Sequence, residues 1–386
     1  QPGEFRATEL GAYGRLLALQ SILAAANSMG VVFAITFFVD QEGFASRDVV
    51  LLNLFAFGVS SLACVGFARA RPMRARPLMA AGLAVLAGSY AAYLVLRGWP
   101  LMMVVAVAWG AYVPLFFLPF NVLVIRRTRI EDRARKIGML VLTYTAVAIA
   151  GPTIGGAIVD AFGHGTLFAL SAAISAAGIA FLAVVDDGEP VSFRFAFRRT
   201  GPRTAAALFA EGAFEGMSFG VIPLIAYAFT AEELQIGNLF SLFALAGGVV
   251  TVLLGAVSDR MRSRAPFVVL GAVASAAAAL LVVRAPSLAE FAVGNSLLSL
   301  TASVAPIFLF AIVVERLPDD PSAAILTREF LLNAGRAVSL STYFALVALG
   351  LSVQQAFLVA AVSLAFVALG RSGNTPRPPG VARYPR

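Results

Sequence analysis

The sequence predicts an all-α polytopic membrane protein, with twelve transmembrane helices in two six-helix bundles. Three observations predict it. Of 386 residues, 60% are hydrophobic and only 13% charged, whereas a soluble domain is about half apolar and about a quarter charged. Apolar runs long enough to cross roughly 30 Å of hydrocarbon, which takes about 20 helical residues, recur along the whole chain. Arginine and lysine concentrate in every second connection. No single soluble fold has a core large enough for this much apolar surface. A soluble enzyme, a disordered chain and a collagen-like fibre are excluded.

The apolar runs cover 12–39, 48–68, 77–97, 99–125, 136–159, 165–185, 204–230, 235–257, 265–284, 288–314, 325–350 and 352–370. The ten-residue alternation of a membrane β-barrel is absent. The first run is long and lacks a small-residue cleavage site, which reads as a retained helix rather than a signal peptide. Numbering connections by the runs they join, connection 2–3 carries Arg69, Arg71, Arg74 and Arg76. Connection 4–5 carries Arg126, Arg127, Arg129, Arg133, Arg135 and Lys136. Connection 8–9 adds Arg260, Arg262 and Arg264, and the tail adds Arg371, Arg377, Arg383 and Arg386. The alternate connections hold Arg47, Arg97 and Arg284 among acids such as Asp40, Glu42, Glu232 and Glu233. The expectation is a multi-pass protein of the cell (inner) membrane with both termini cytoplasmic. The net charge of +8 is then a topology signal, not a nucleic-acid footprint.

The longest connection, 186–203, is basic and falls near the middle of the chain. It divides the sequence into a bundle at 1–185, a cytoplasmic linker at 186–203, a second bundle at 204–370 and a tail at 371–386. The two parts are weakly self-similar: Arg71 matches Arg260 and Pro77 matches Pro266 at one offset. Parallel repeats of this kind place a substrate path near the midplane between them.

A family resemblance becomes specific at three motifs. The run Gly255-Ala256-Val257-Ser258-Asp259-Arg260-Met261-Arg262-Ser263-Arg264 resembles the G-x-x-x-D-R-x-x-x-R/K loop signature of the major facilitator superfamily. The first-half copy has Ala70 in place of the acid. Gly151-Pro152-Thr153-Ile154-Gly155-Gly156 is similar to the G-P-x-x-G-G helix-packing motif of that superfamily's antiporters, and Glu131-Asp132-Arg133 is also family-like. The resemblance implies a 6+6 fold and secondary transport by alternating access. It also implies a cytoplasmic gate built from Asp259, Arg260 and Arg264 facing connection 4–5, including Arg133. A pseudo-symmetric partner gate would set Arg71 and its neighbours against Asp319 and Asp320, with Glu329 at the same edge.

Charges inside the apolar runs carry the most chemistry, because they are costly in a bilayer and usually functional. Glu211 and Glu215 lie four apart on one helix face. Glu215 stands eleven residues past Thr204, about 16 Å along a helix axis and so near the midplane. Two carboxylates stacked at low dielectric cannot both ionise cheaply, so one of them can load and release a proton. Arg336 stays charged at any accessible pH and must meet an acid, a backbone carbonyl or an anionic substrate. Glu211 and Glu215 are open to it if their helices face each other. Glu329, Asn333 and Arg336 share one stripe by their spacing of four and three.

Further cavity candidates are Gln20 and Asn27 in the first run, Tyr112 and Asn121 in the fourth, Tyr144 in the fifth and Asn295 in the tenth. There is no G-x-x-x-x-G-K-[ST] loop, no G-x-S-x-G nucleophile motif and no selectivity-filter signature. One cysteine and one histidine leave no metal-ligand cluster, so no cofactor is expected. The sequence therefore reads as a monomeric secondary active transporter moving a small amphipathic or apolar solute, with protons and membrane lipid as its other partners. Proton-coupled export is the leading expectation. A lipid or lysolipid translocase, a nutrient symporter and a non-transporting assembly factor of the same fold are the alternatives.

Overall fold

A computed structural model describes residues 2–128, 133–258, 265–317 and 319–368. Among them the chain is almost wholly helical, and Met73 with Val191 forms an isolated antiparallel bridge. The helices are α1 Pro2–Asp40, α2 Ser46–Arg69, α3 Ala75–Val95, α4 Gly98–Arg126 and α5 Arg133–Phe181. After a connection holding the single-turn α6 Phe197–Thr200 come α7 Pro202–Phe229, α8 Glu233–Ser258, α9 Ala265–Arg284 and α10 Leu288–Ala302. The last are α11 Val304–Arg316, α12 Pro321–Ala348, α13 Val353–Ala356 and α14 Leu358–Val367. Ten of the described helices are long and apolar enough to cross a membrane, and Val353–Val367 forms a shorter apolar helical stretch. The protein is a multi-pass membrane protein.

Two apolar runs merge into α5. Within it Gly163 has φ 81° and ψ 164°, outside the helical region and tolerated by glycine for want of a Cβ. The break falls where the sequence placed a connection between 136–159 and 165–185. Ser303 interrupts the path from α10 to α11, and Phe357 separates α13 from α14. Pro114 and Pro119 sit inside α4, Pro152 inside α5 and Pro223 inside α7, where each lacks the N–H for the ordinary helix ladder.

The N-terminal helices pack mainly as α1 on α5, α3 on α4 and α5, and α2 on α4. Among the C-terminal helices α7 packs on α12 and α14, and α9 packs on α10 and α14. The two sets meet along α5 with α8 and along α2 with α12. Glycine makes the first of these meetings close. A Cβ on Gly156 would lie 2.5 Å from the Glu233 carbonyl oxygen, and one on Gly237 would lie 2.3 Å from that of Pro152. Gly151 and Gly155 instead press on α1, at Ser28 and Phe33. One short motif thus packs α5 against a helix of its own set and a helix of the other.

At one end of the molecule the 186–203 connection is tied to both sets. Arg127 meets Asp186 at 2.7 Å, and Arg74 lies 3.9 Å from Asp187, whose carboxylate also accepts the Arg76 backbone N–H at 2.6 Å. Arg194 meets Asp320 at 2.6 Å, and the Ala196 N–H donates to the Thr327 hydroxyl at 2.9 Å. The Arg127 guanidinium holds the Asp186 carboxyl below the usual carboxylate range. Burial pushes Asp320 up, but the Ser322 hydroxyl, Arg194 and the Ala323 N–H outweigh it, leaving that carboxyl lowered.

Candidate functional site

The interior charges gather between α7 and α12. The two helices run in the same direction and approach closely because α7 presents Gly212, Gly216 and Gly220 at intervals of four. Cβ atoms there would lie 2.1 Å from the Leu332 carbonyl oxygen, 2.7 Å from the Arg336 Cα and 2.9 Å from the Leu340 side chain. Gly335 on α12 answers them, its Cβ position being 2.0 Å from the Phe209 carbonyl oxygen. Small residues that let backbones touch are the usual basis of helix association in lipid. Each interior acid immediately precedes one of these glycines, in the run Glu211-Gly212-Ala213-Phe214-Glu215-Gly216. The contact that joins the helices therefore carries both carboxylates to the edge of α12.

Arg336 takes Glu215 through two donors: Nε at 2.9 Å and an Nη at 2.5 Å, both to Oε2. Its other Nη reaches Glu329 Oε1 at 3.2 Å and Asn333 Oδ1 at 2.7 Å. The Asn333 amide donates to Glu329 Oε1 at 2.9 Å, closing the ring. Arg328 donates to Glu211 Oε1 at 3.0 Å, whereas Glu211 Oε2 and Arg328 Nε are buried without a hydrogen-bond partner. Side-chain exposure is 11% for Arg336, 21% for Glu215 and 2% for Glu211. The guanidinium of Arg336 also lies over the rings of Phe57 on α2, at 5.4 Å, and Phe219, at 5.9 Å. Phe57 brings an N-terminal helix into contact with the C-terminal charge cluster.

The cluster carries three carboxylates (Glu211, Glu215, Glu329) against two guanidiniums (Arg328, Arg336). With every group ionised, one negative charge is in excess. A single proton makes the cluster neutral.

A second polar group occupies the N-terminal helices and contains no charge. Asn27 Nδ2 donates to the Tyr112 hydroxyl at 2.7 Å. The Tyr90 hydroxyl donates to the Ala26 carbonyl at 3.2 Å and stands 3.5 Å from Asn27 Oδ1. Tyr144, on α5, is 39% exposed.

The remaining residues named from the sequence are distributed as follows. Gln20 and Asn295 are buried, and Asn121 is half-buried on α4. Glu329, expected at the gate, joins the Arg336 cluster instead, because its position one turn before Asn333 turns it inward. Asp320 was expected opposite Arg71 and its neighbours. It pairs with Arg194 and caps α12 by accepting the Ala323 N–H, while Arg74 is turned to Asp187. The 186–203 connection supplies both partners. Arg71 and Asp319 are exposed. Asp259, Arg260, Arg264 and the side chain of Arg133 lie outside the described residues. The sequence reading missed Arg328 as the partner of Glu211, and Tyr90. The E-G-x-x-E-G spacing marks a close-packing face and puts both acids on its rim, but the packing of α7 on α12 decides which arginine meets Glu211.

Comparison with known proteins bears on the fold. Residues 204–383 match the sequence profile of the Major Facilitator Superfamily. A multidrug resistance protein, MdtH of Aeromonas salmonicida (strain A449), is 32% identical over 152 residues, which is 39% of this chain and 38% of that relative's length. The E. coli fucose:proton symporter FucP shares the fold with a TM-score of 0.65 at 12% identity, over 95% of this chain and all of that one. The human organic anion transporter MFSD10 (TETRAN) does so with a TM-score of 0.65 at 17% identity, over 96% of this chain and all of that one. The C-terminal part of the chain thus resembles the major facilitator superfamily in sequence, and nearly the whole chain shares its fold with solved transporters.

Proposed function

We propose that the protein is a proton-coupled secondary transporter that exports a small amphipathic or apolar solute by alternating access. The profile match over 204–383 and the transporters sharing the fold support a transporter rather than an enzyme. The proposed architecture is twelve spans in two bundles, 1–185 and 204–370, joined by 186–203. Gly163 divides α5 into the fifth and sixth spans, α10 with α11 makes the tenth, and α13 with α14 the twelfth. The excess of basic residues at the end holding Arg74, Arg127 and Arg194 supports placing that end, and both termini, in the cytoplasm.

One observation carries the coupling: Arg336 is shared between Glu215 and Glu329 inside a cluster with one carboxylate in excess. A proton on Glu215 releases half of the Arg336 fork. The guanidinium then rests on Glu329 and Asn333 alone, which changes its contact with Phe57 across the boundary between the two helix sets. That is a physical route from proton binding to relative movement of the bundles. The apolar surroundings support an amphipathic solute over a sugar, as does the multidrug resistance protein among the relatives.

The test is a flux assay in proteoliposomes with a lipophilic fluorescent dye and an imposed pH gradient. Glu215→Gln is expected to abolish gradient-driven dye movement while leaving dye counterflow intact, since counterflow needs only the conformational cycle. Full gradient-driven transport by this variant would show that the carboxyl is structural.

A further inference from the structure

At the end opposite the basic one, a cavity of about 500 Å³ opens between the two sets of helices. Phe37, Asp40, Tyr93, Arg97, His164 and Glu233 are among its walls. His164 is the only histidine in the chain and directly follows the Gly163 break in α5. Its side chain and that of Glu233, the first residue of α8, are each 9% exposed. His164 Nε2 stands 3.1 Å from Glu233 Oε1, and the Thr36 hydroxyl donates to Glu233 Oε2 at 3.1 Å. Both oxygens of the Glu233 carboxylate thus face side chains of N-terminal helices.

The imidazole contact has a particular character. His164 Nε2 lies close to the carboxylate but makes no hydrogen bond. A neutral ring gains little from this placement. A protonated ring adds the attraction of opposite charges at this range. Phe37 meets the ring edge-on at 5.4 Å, and Phe168 lies 6.1 Å away.

The other charged groups nearby have their own partners or stand in water. Arg97 is 3.6 Å from Glu42 of the α1–α2 connection. Asp40 of α1 accepts from the Tyr227 hydroxyl of α7 at 3.5 Å. Tyr93 of α3 stacks on Phe168 at 4.0 Å. Asp160, one turn earlier on α5, and Glu232, beside Glu233, are exposed.

We propose that His164 and Glu233 form a second proton-binding site, distinct from the α7–α12 cluster, whose protonation fastens the two helix sets together at this mouth. The pair stabilises the charged imidazole only while the mouth is shut. That attraction exists only when the ring carries a proton, so the fastening is an acid-side effect. In the proposed orientation this mouth is external, so the site reads outside acidity. The inference rests on the alternating-access reading only in requiring the helix sets to separate here. Its test involves neither substrate nor Glu215, so the two ideas fail separately.

Spin labels at Phe162→Cys and Ala231→Cys, in a Cys64→Ala background, report the separation across this mouth. In the otherwise unchanged protein the short-distance population is expected to dominate at about pH 5.5 and to give way to longer distances at about pH 8, on either side of the histidine range. His164→Gln is expected to lose the pH response and keep the longer distances, as is Glu233→Gln. His164→Lys carries a permanent charge and is expected to keep the short distance at both values. Nitrogen-15 histidine labelling gives one ring signal, which is expected to titrate between about pH 5 and 8. A pH response that survives in His164→Gln, or a ring that does not titrate, would overturn the proposal.

Discussion

The N-terminal and C-terminal helices solve the same problem differently. Each set holds an interior polar group. In the N-terminal helices it is neutral: Asn27, Tyr112 and Tyr90, joined by ordinary hydrogen bonds. In the C-terminal helices it is ionic: three acids and two arginines with a shared guanidinium at the centre. A neutral amide–phenol group costs little to keep in a bilayer and responds weakly to pH. An ionic cluster is worth keeping only if its charges compensate one another, and it changes state when one proton is added. The difference teaches that, of the two interior groups, the N-terminal one offers hydrogen bonding and the C-terminal one ionisable side chains.

The sharpest way to break this comparison is to remove the central cation. Arg336→Ala leaves Glu215 and Glu329 facing each other without a guanidinium, and losing one partner of a buried pair costs about 3–5 kcal/mol. A large fall in thermal stability in detergent is expected. The triple change Glu215→Gln, Glu329→Gln, Arg336→Met should recover most of it, because no uncompensated charge remains. A stable Arg336→Ala protein would mean that water already screens the cluster.

On the neutral side, Asn27→Leu should cost only about 1 kcal/mol, the usual scale for interhelical hydrogen bonds in membranes. A loss as large as that of Arg336→Ala would erase the contrast between the two sets.

The smallest effect is expected outside the membrane. Asp186 is 68% exposed, so its pair with Arg127 should contribute about 0.5 kcal/mol or less. Because the pair lowers the carboxyl's pKa in the folded protein, that contribution is present above the ordinary aspartate range. It disappears as pH falls through the folded value. Asp186→Asn should therefore destabilise slightly at neutral pH and not at all in acid, as read by thermal unfolding at the two pH values. An equal effect at both would assign the loss to packing.

Much of the fold was legible before any coordinates. Apolar run length marks each crossing because every backbone group must be satisfied within the segment in lipid, and this leaves the helix as the local solution. The interior charges were equally legible, since no other residue type is so rare inside an apolar run. Glu215 and Arg336 stood out for that reason, and so did Asn333 on the stripe with Arg336. The basic connections could be seen, but their partners could not. Asp320 could meet Arg71, Arg74 or Arg194 with equal ease in one dimension, and the path of 186–203 across the end of the molecule selected Arg194.

What the sequence determined alone was everything governed by local spacing: the number of apolar runs, a connection between 159 and 165, the faces of α7 and α12, and the G-P-x-x-G-G motif of α5. Helical periodicity fixes which side chains share a face, whatever the rest of the chain does. What only the tertiary structure decided was which faces meet. Glu211 goes to Arg328, and Arg336 divides between Glu215 and Glu329, because Gly212, Gly216 and Gly220 set the register of α7 against α12 to within one turn. The pairing of His164 with Glu233 needed α5 and α8 to touch at their ends, nearly seventy residues apart in the chain. Coulomb attraction and hydrogen bonding act over a few ångströms, so the choice among chemically equivalent partners belongs to the packing.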